Sequence, residues 1–165
     1  MDSKKLAEPI TYDSVDLKKL AEPMPYKWRV QAFSRNKPAA ACVAYIEARD
    51  VMDRLDEVCG PGNWQVKYYT VNDLLFCAIG IKIGDEWVWK ADTGTESNME
   101  AEKGHVSDAF KRAAVHWGIG RFLYRLEIVY VKANVKKTHD NYPYVIDADG
   151  RRVNNLTAYI NELMG

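Results

Sequence analysis

The sequence predicts an α+β fold in which an antiparallel three-stranded meander packs against a long helix. Three strand-like runs rich in apolar residues are separated by two-residue spacers of turn-forming composition, Asn72-Asp73 and Gly84-Asp85. The runs cover residues 64–71, 74–83 and 86–91. A segment with helical periodicity precedes the meander and a second one follows it, which favours strands and helices in separate parts of the chain.

Length and composition predict one compact domain. The chain has 165 residues, of which 47% are apolar, enough to form a core. It contains neither an apolar run of about 18 residues nor a charged-then-apolar leader. We therefore expect no membrane span and no secretory signal. We expect a cytoplasmic location, with nucleoid association if the source is bacterial.

The N-terminal residues contain a short repeat. The hexapeptide KKLAEP occurs at 4–9 and again at 18–23. Two such short copies cannot build a repeat fold, so we interpret residues 1–21 as an arm that is mobile or docks on a neighbour, and 22–165 as the functional domain. Prolines keep residues 22–38 extended, with Trp28 and Phe33 as anchors.

The first helix is predicted at 39–58. Its apolar residues recur at helical spacing, and the turn-forming sequence Gly60-Pro61-Gly62-Asn63 stops it. The middle strand of the meander is apolar on both faces from Leu75 to Ile81. Both faces must then be covered, and the helices at 39–58 and 102–117 are the available covers.

The segment 103–125 carries the most one-sided charge of the chain. One apolar stripe at helical spacing is expected to be buried, and it contains Val106, Phe110, Ala113 and Trp117. Lys103, Ser107 and Lys111 lie one above another on the other side, with Arg112 beside them. A row of cations suits a phosphodiester backbone. The alternatives are a solvated face and an Arg112–Asp108 pair.

The C-terminal part predicts two short strands and a helix. The strands are expected at 126–131 and 144–146, followed by a turn at 147–150. Asn154 or Asn155 then caps the last helix.

Candidate chemistry is sparse. Cys42, Cys59 and Cys77 are odd in number and have apolar surroundings, which is typical of core residues, and no metal or other cofactor is expected. No phosphate-cradling loop occurs, so ATP-driven work is not expected. Asp92-Thr93-Gly94 matches the aspartic protease triplet, but a turn that closes a strand is the preferred explanation of these residues.

Charge is balanced overall but segregated locally. The chain has 23 basic and 23 acidic residues, so nucleic-acid binding cannot depend on bulk charge. The segment Glu47–Glu57 is rich in acids, whereas 103–125 is rich in bases.

Several motifs together resemble the Rad52 family of single-strand annealing proteins. They are CVAYIEAR at 42–49, GPGNW at 60–64, SDAFKRAA at 107–114 and WGIG at 117–120. The resemblance covers residues 23–124. It implies a β-β-β-α core, assembly into a ring of identical subunits, and annealing of single-stranded DNA without ATP or enzymatic activity.

The resemblance also implies a DNA-binding set. Lys111 and Arg112 match the phosphate-binding pair of the family, Tyr45 matches a groove tyrosine, and Arg29 loosely matches a basic residue. Val115 stands where the family often has a further arginine. With the neighbouring cations, the predicted DNA-binding residues are Lys111, Arg112, Arg29, Tyr45, Lys103 and Arg121. A dimeric aspartyl hydrolase and an oligomeric scaffold without nucleic acid are the alternative functions.

Overall fold

The part of the chain that the structure describes has an α+β fold with antiparallel sheets and three α-helices. The computed structural model describes residues 15–94 and 102–165, and for 102–105 the backbone alone. In chain order the elements are β1 Lys27–Phe33, β2 Ala39–Tyr45, α1 Ala48–Cys59, β3 Trp64–Val71, β4 Leu74–Ile83, β5 Glu86–Thr93, α2 Glu102–His116, β6 Val129–Asn134, β7 Tyr144–Val145 and α3 Leu156–Met164. Of the helices described, none is both long and apolar enough to span a membrane.

The chain forms two compact units. One combines residues 15–23 with the described part of Glu47–Phe122, and the other combines Met24–Ile46 with Leu123–Gly165. The first unit contains the sheet β3-β4-β5 with α1 and α2, and the second contains the sheet β1-β2-β6-β7 with α3. The division into an arm at 1–21 and a domain at 22–165 stays a prediction, and residues 1–14 lie outside the described part.

The meander of the first unit confirms the sequence-based prediction closely. In the β3-β4 ladder, Trp64 faces Ile81 at one end and Val71 faces Leu74 at the other. In the β4-β5 ladder, Ile83 faces Glu86 at one end and Phe76 faces Thr93 at the other. Asn72 and Asp73 both have positive φ, as a tight two-residue hairpin turn requires. The turn residues therefore fixed the strand boundaries.

The two faces of the meander are covered by different means. On one face, β4 buries Cys77, Ile79 and Ile81, and α2 packs there, with the Trp117 Nε1 donating to the Ile79 carbonyl at 3.0 Å. On the other face, the Trp89 ring lies over Gly80, its partner in the ladder. The expectation that two helices cover the two faces was wrong, because α2 packs on β4 whereas α1 makes no extensive contact with it, and the Trp89 side chain lies over Gly80 instead.

The prediction of one helix over 39–58 was also wrong. Residues Ala39–Tyr45 form β2, which pairs with both β1 and β6, and α1 begins only at Ala48. Small residues fit either structure locally, and Ala40 and Cys42 are buried with a period of two. A capping box between Glu47 and Asp50 starts the helix.

The second copy of the repeat packs against its own chain. Leu17–Ala21 form a short 3-10 helix, and Leu20 is buried. The Arg54 guanidinium, on α1, donates to the carbonyls of Lys19, Leu20, Glu22 and Pro23 at 2.7–3.4 Å. The first copy, at 4–9, lies outside the described residues, so whether it docks elsewhere stays a prediction.

The second unit has one covered sheet face. Trp28, Cys42, Val131 and Ile160 belong to a core cluster in which α3 packs against the sheet. Asn155 caps α3 by accepting from the Ala158 N–H at 3.0 Å, which confirms one of the two predicted caps. The strand expected at 126–131 lies three residues later, at Val129–Asn134, because a 3-10 helix at Arg121–Arg125 takes up the chain before it.

The three cysteines are buried free thiols, as the sequence predicted. Burial raises the pKa of the Cys42 and Cys59 thiols and raises the pKa of Cys77 to about 11. Thiols of raised pKa are protonated at neutral pH and are therefore poor nucleophiles. These residues serve packing.

The close contact between Gly80 and Trp89 predicts a steric cost for any side chain at position 80. A Cβ at Gly80 would lie 2.8 Å from atoms of the Trp89 ring. We expect Gly80→Ala to lower the free energy of unfolding by about 1–3 kcal/mol, the usual cost of overpacking, in a urea titration. Gly62→Ala is the matched control, because nothing lies within 4 Å of the added methyl group. Equal stability of the two variants would contradict the contact.

Candidate nucleic-acid interface

Helix α2 is amphipathic, with its apolar side towards the meander. Phe110 contacts Trp64, and Ala109, Ala113 and Ala114 are buried beside it. Val106 is 40% exposed, so the prediction that it is buried was wrong. The buried residues of the stripe lie in the C-terminal half of α2 and include Trp117, the first residue after it. The packing turns the opposite side of α2 away from the sheet.

Lys111 and Arg112 lie on this outer side of α2. Both side chains are partly exposed, as is the side chain of Ser107 one turn before Lys111. The backbone of Lys103 lies in the first turn of the helix, but its side chain is outside the part of the chain that the structure describes. Two adjacent, partly exposed cations thus lie on the outer side of α2.

Arg112 forms the intrahelical pair that the sequence left as an alternative. Its Nε lies 3.2 Å from the Asp108 Oδ2, and the two side chains are 39% and 37% exposed. An exposed pair at this spacing contributes only about 0.3–0.5 kcal/mol. The contact is made through the Nε of the guanidinium, and both side chains stay partly exposed.

Arg121 has a structural role that sequence reasoning missed. Its guanidinium donates to the Val115 carbonyl at 2.8 and 3.2 Å and to the His116 carbonyl at 3.2 Å. These carbonyls lie at the C-terminal end of α2, where the helix leaves acceptors without partners and a positive charge is favourable. Gly118 and Gly120, both at positive φ, bring the chain round to this position. Contact of Arg121 with DNA stays a prediction.

The Asp92-Thr93-Gly94 triplet has neighbours that do not resemble a protease dyad. The Asp92 Oδ2 lies 2.9 Å from the His116 Nε2, and its Oδ1 accepts from the Thr93 N–H at 2.7 Å. An aspartic dyad places a second carboxylate beside the first, whereas here a histidine of α2 holds that place. The hydrolase alternative has no support in this geometry.

Arg29 and Tyr45 belong to the second unit. They lie on the same face of the β1-β2 pair, because Arg29 faces Val43 and Tyr45 lies two residues further along the same strand. Trp28, between Lys27 and Arg29 in β1, lies on the buried face. The structure thus places Lys111, Arg112 and the backbone of Lys103 on α2, Arg121 just after α2, and Arg29 and Tyr45 in the sheet of the second unit.

Sequence reasoning missed other residues on that sheet face. Lys27, Tyr130 and Lys132 are all exposed there, opposite Tyr45, Ala41 and Ala39 respectively. The alternation Val129-Tyr130-Val131-Lys132 contains the signal, since alternate residues of a strand share a face. This alternation was not recognised because the strand was predicted at 126–131 and because β2, which pairs with it, was predicted as part of a helix at 39–58.

Comparison with known families decides the relationship. The model of the Rad52/22 family, described as double-strand break repair proteins, matches residues 14–78 and 78–142, more than half of the chain. The chain belongs to the Rad52/22 family. The matched ranges contain every predicted DNA-binding residue, from Arg29 to Arg121, and end before β7 and α3.

Two relatives are similar to this chain over more than half of its length. A protein of Deinococcus radiodurans named single-stranded DNA-binding protein DdrA is 38% identical over 101 residues, 60% of this chain and 48% of the relative. The protein of the same name from Deinococcus deserti is 34% identical over 112 residues, 67% of this chain and 55% of the relative. The chain therefore spans about half the length of these relatives. No solved structure matches it.

The Arg121 contacts predict an effect on stability. Arg121→Ala removes the donors at the end of α2, and we expect it to lower the free energy of unfolding by about 1 kcal/mol, as loss of a helix cap does. Arg125→Ala is the control, an exposed arginine in the same 3-10 helix, with an expected change within about 0.5 kcal/mol. Chemical denaturation of both variants measures the difference, and an unaltered Arg121→Ala would exclude the capping role.

Proposed function

We propose that this chain binds single-stranded DNA and anneals complementary strands in DNA recombination or repair, without ATP and without catalysis. The observation that carries the proposal is the adjacent pair Lys111 and Arg112, partly exposed on the outer side of α2, in a member of the Rad52/22 family. The names of the two relatives, both single-stranded DNA-binding proteins, support the same substrate.

The proposed mechanism rests on the phosphate backbone. Each cation that contacts a phosphate replaces a condensed counterion, which gives affinity without base recognition. A strand held by its phosphates leaves its bases available for pairing, and the duplex is released because its geometry no longer fits a single-strand site. The proposed DNA-binding residues are Lys111 and Arg112 on α2, with Lys103, Arg121, Arg29 and Tyr45. Such a protein would act inside the cell.

Self-assembly is part of the proposal. The sheet order β3-β4-β5 leaves β3 and β5 at its edges, and edge strands present unpaired backbone groups that favour association with another chain. Assembly of identical subunits in a closed ring would also align many α2 helices along one strand. We therefore propose a ring-shaped homo-oligomer.

The first consequence is salt-dependent, sequence-independent binding. In an anisotropy titration with a labelled oligothymidylate, we expect binding at low salt that weakens steeply as salt rises. Each neutralised phosphate should contribute about −0.7 to the slope of log affinity against log salt. An oligonucleotide of mixed sequence should bind similarly. Affinity that does not change with salt, or no binding at low salt, would contradict the proposal.

The second consequence concerns the α2 pair. Replacing Lys111 and Arg112 together with Ala should weaken binding at least tenfold, since a hydrogen bond to a charged group contributes about 1.5–3 kcal/mol. The melting temperature should change little, because both side chains are at the surface. Arg49→Ala, on the acidic helix α1, is the matched control. If Asp108→Ala and Arg112→Ala shift stability alike and neither changes affinity, Arg112 is only a structural partner.

The third consequence concerns size. Light scattering at micromolar concentration should give a mass several times that of the 18.9 kDa chain. A monomer under these conditions would exclude the ring and leave strand binding to be judged by the titrations alone.

A further inference from the structure

The four-stranded sheet of the second unit has one covered face and one open face. Because side chains alternate along a strand, the buried residues Trp28, Cys42 and Val131 define the face covered by α3. Residues one position away in each strand lie on the opposite side, which we call the open face. Partner residues in a ladder share a face, so the register determines its full composition.

Cations and tyrosines dominate the polar side chains of the open face. Across the sheet, its charged and aromatic residues are Lys27 and Arg29 of β1, Tyr45 of β2, Tyr130 and Lys132 of β6, and Tyr144 of β7. None of the strand residues on this face is acidic, and all of them belong to the described part of the chain. In a chain of zero net charge, this is a local concentration of positive charge.

Tyr130 has the geometry of a stacking platform. It is 72% exposed and lies on an inner strand of the sheet. Its partner across the β2-β6 ladder is Ala41, and the partner of Ala41 on β1 is Ala32. The small methyl groups of Ala41 and Ala32 leave the space beside the Tyr130 ring open. A planar base can therefore reach the ring without displacing another side chain.

Cations flank this platform. Lys132, two residues after Tyr130, is exposed and faces Ala39. Ile146 donates its N–H to the Lys132 carbonyl and forms a bridge with Arg152, so Arg152 extends the same face beyond β7. The Arg152 guanidinium lies 5.1 Å from the centre of the Tyr144 ring. Phosphate-binding groups thus lie on the same face as exposed or half-exposed rings.

We propose that the open face is a second contact surface for single-stranded DNA, on which Tyr130 stacks with a base while Lys132 and Arg152 bind phosphates. The inference rests on the proposed function, and it adds base stacking to the backbone contacts of α2. It also places Arg29 and Tyr45, two of the proposed DNA-binding residues, on the same contact surface. Stacking tolerates any base, so the surface keeps the binding independent of sequence.

The chemistry of the open face favours a nucleic acid over a protein partner. The cores of protein interfaces are depleted in lysine, whereas this face has lysines on both β1 and β6. An ordinary solvated sheet face mixes both signs of charge, and here the strands supply one sign only. Rings interleaved with cations are the combination that single strands require.

The test compares two tyrosines of similar exposure. Tyr130→Ala should weaken binding of an oligothymidylate about fivefold or more, as loss of one stacked base does, and Tyr130→Phe should retain most of the affinity. Tyr142→Ala is the control, since Tyr142 is 78% exposed but lies outside the strands. Melting temperatures verify that each variant is folded.

A fluorescent base identifies the contact directly. An oligothymidylate with one 2-aminopurine should lose fluorescence on binding to the unaltered protein and to Tyr130→Phe, and lose less on binding to Tyr130→Ala. Lys132→Ala should reduce the magnitude of the salt slope by about 0.7. If Tyr130→Ala matches Tyr142→Ala in affinity and quenching, the inference is overturned.

The outcomes separate this inference from the proposed function. Loss of binding in the Lys111 and Arg112 double variant, with no effect of Tyr130→Ala, would support the α2 site and overturn the open face. No binding by the unaltered chain would overturn both. A smaller assembly of Tyr130→Ala by light scattering, with unchanged affinity per chain, would assign the face to contacts between copies and also overturn the inference.

Discussion

The need to cover the apolar middle strand of the meander determines most of the first unit. Strand β4 buries residues on both faces, and an uncovered apolar face would be costly in water. Helix α2 covers one face with Phe110 and Trp117, and this packing alone turns Lys111 and Arg112 outward. On the other face of β4, the Trp89 ring lies over Gly80. The candidate phosphate contacts are thus a consequence of how the core is closed.

The second unit uses the opposite solution, a sheet with one buried face. Helix α3 and the residues around Trp28 form its core, and the other face carries Lys27, Arg29 and Tyr130 in the open. Alternation of apolar and cationic side chains with a period of two residues is enough to make one face of the sheet apolar and the other cationic. Both units therefore present positive charge on the side opposite their core, although the chain as a whole is neutral.

Charge alone does not reveal what an arginine does in this protein. Arg54 donates to four carbonyls of the N-terminal segment, and Arg121 donates to two at the end of α2. Both guanidinium groups satisfy acceptors that secondary structure leaves without partners. Arg112 contacts the Asp108 carboxylate through Nε and stays partly exposed. The sequence shows three similar arginines, and their different contacts become visible only in the structure.

The sequence by itself determined the local features. The turn residues fixed the meander, the helical period fixed α2, and a set of motifs indicated the family to which the chain belongs. Tertiary structure decided whatever depends on distant partners. Ala39–Tyr45 is a strand because β1 and β6 pair with it, although its small residues also fit a helix. The open face likewise exists only through the register of four strands distant in sequence, which no local pattern specifies.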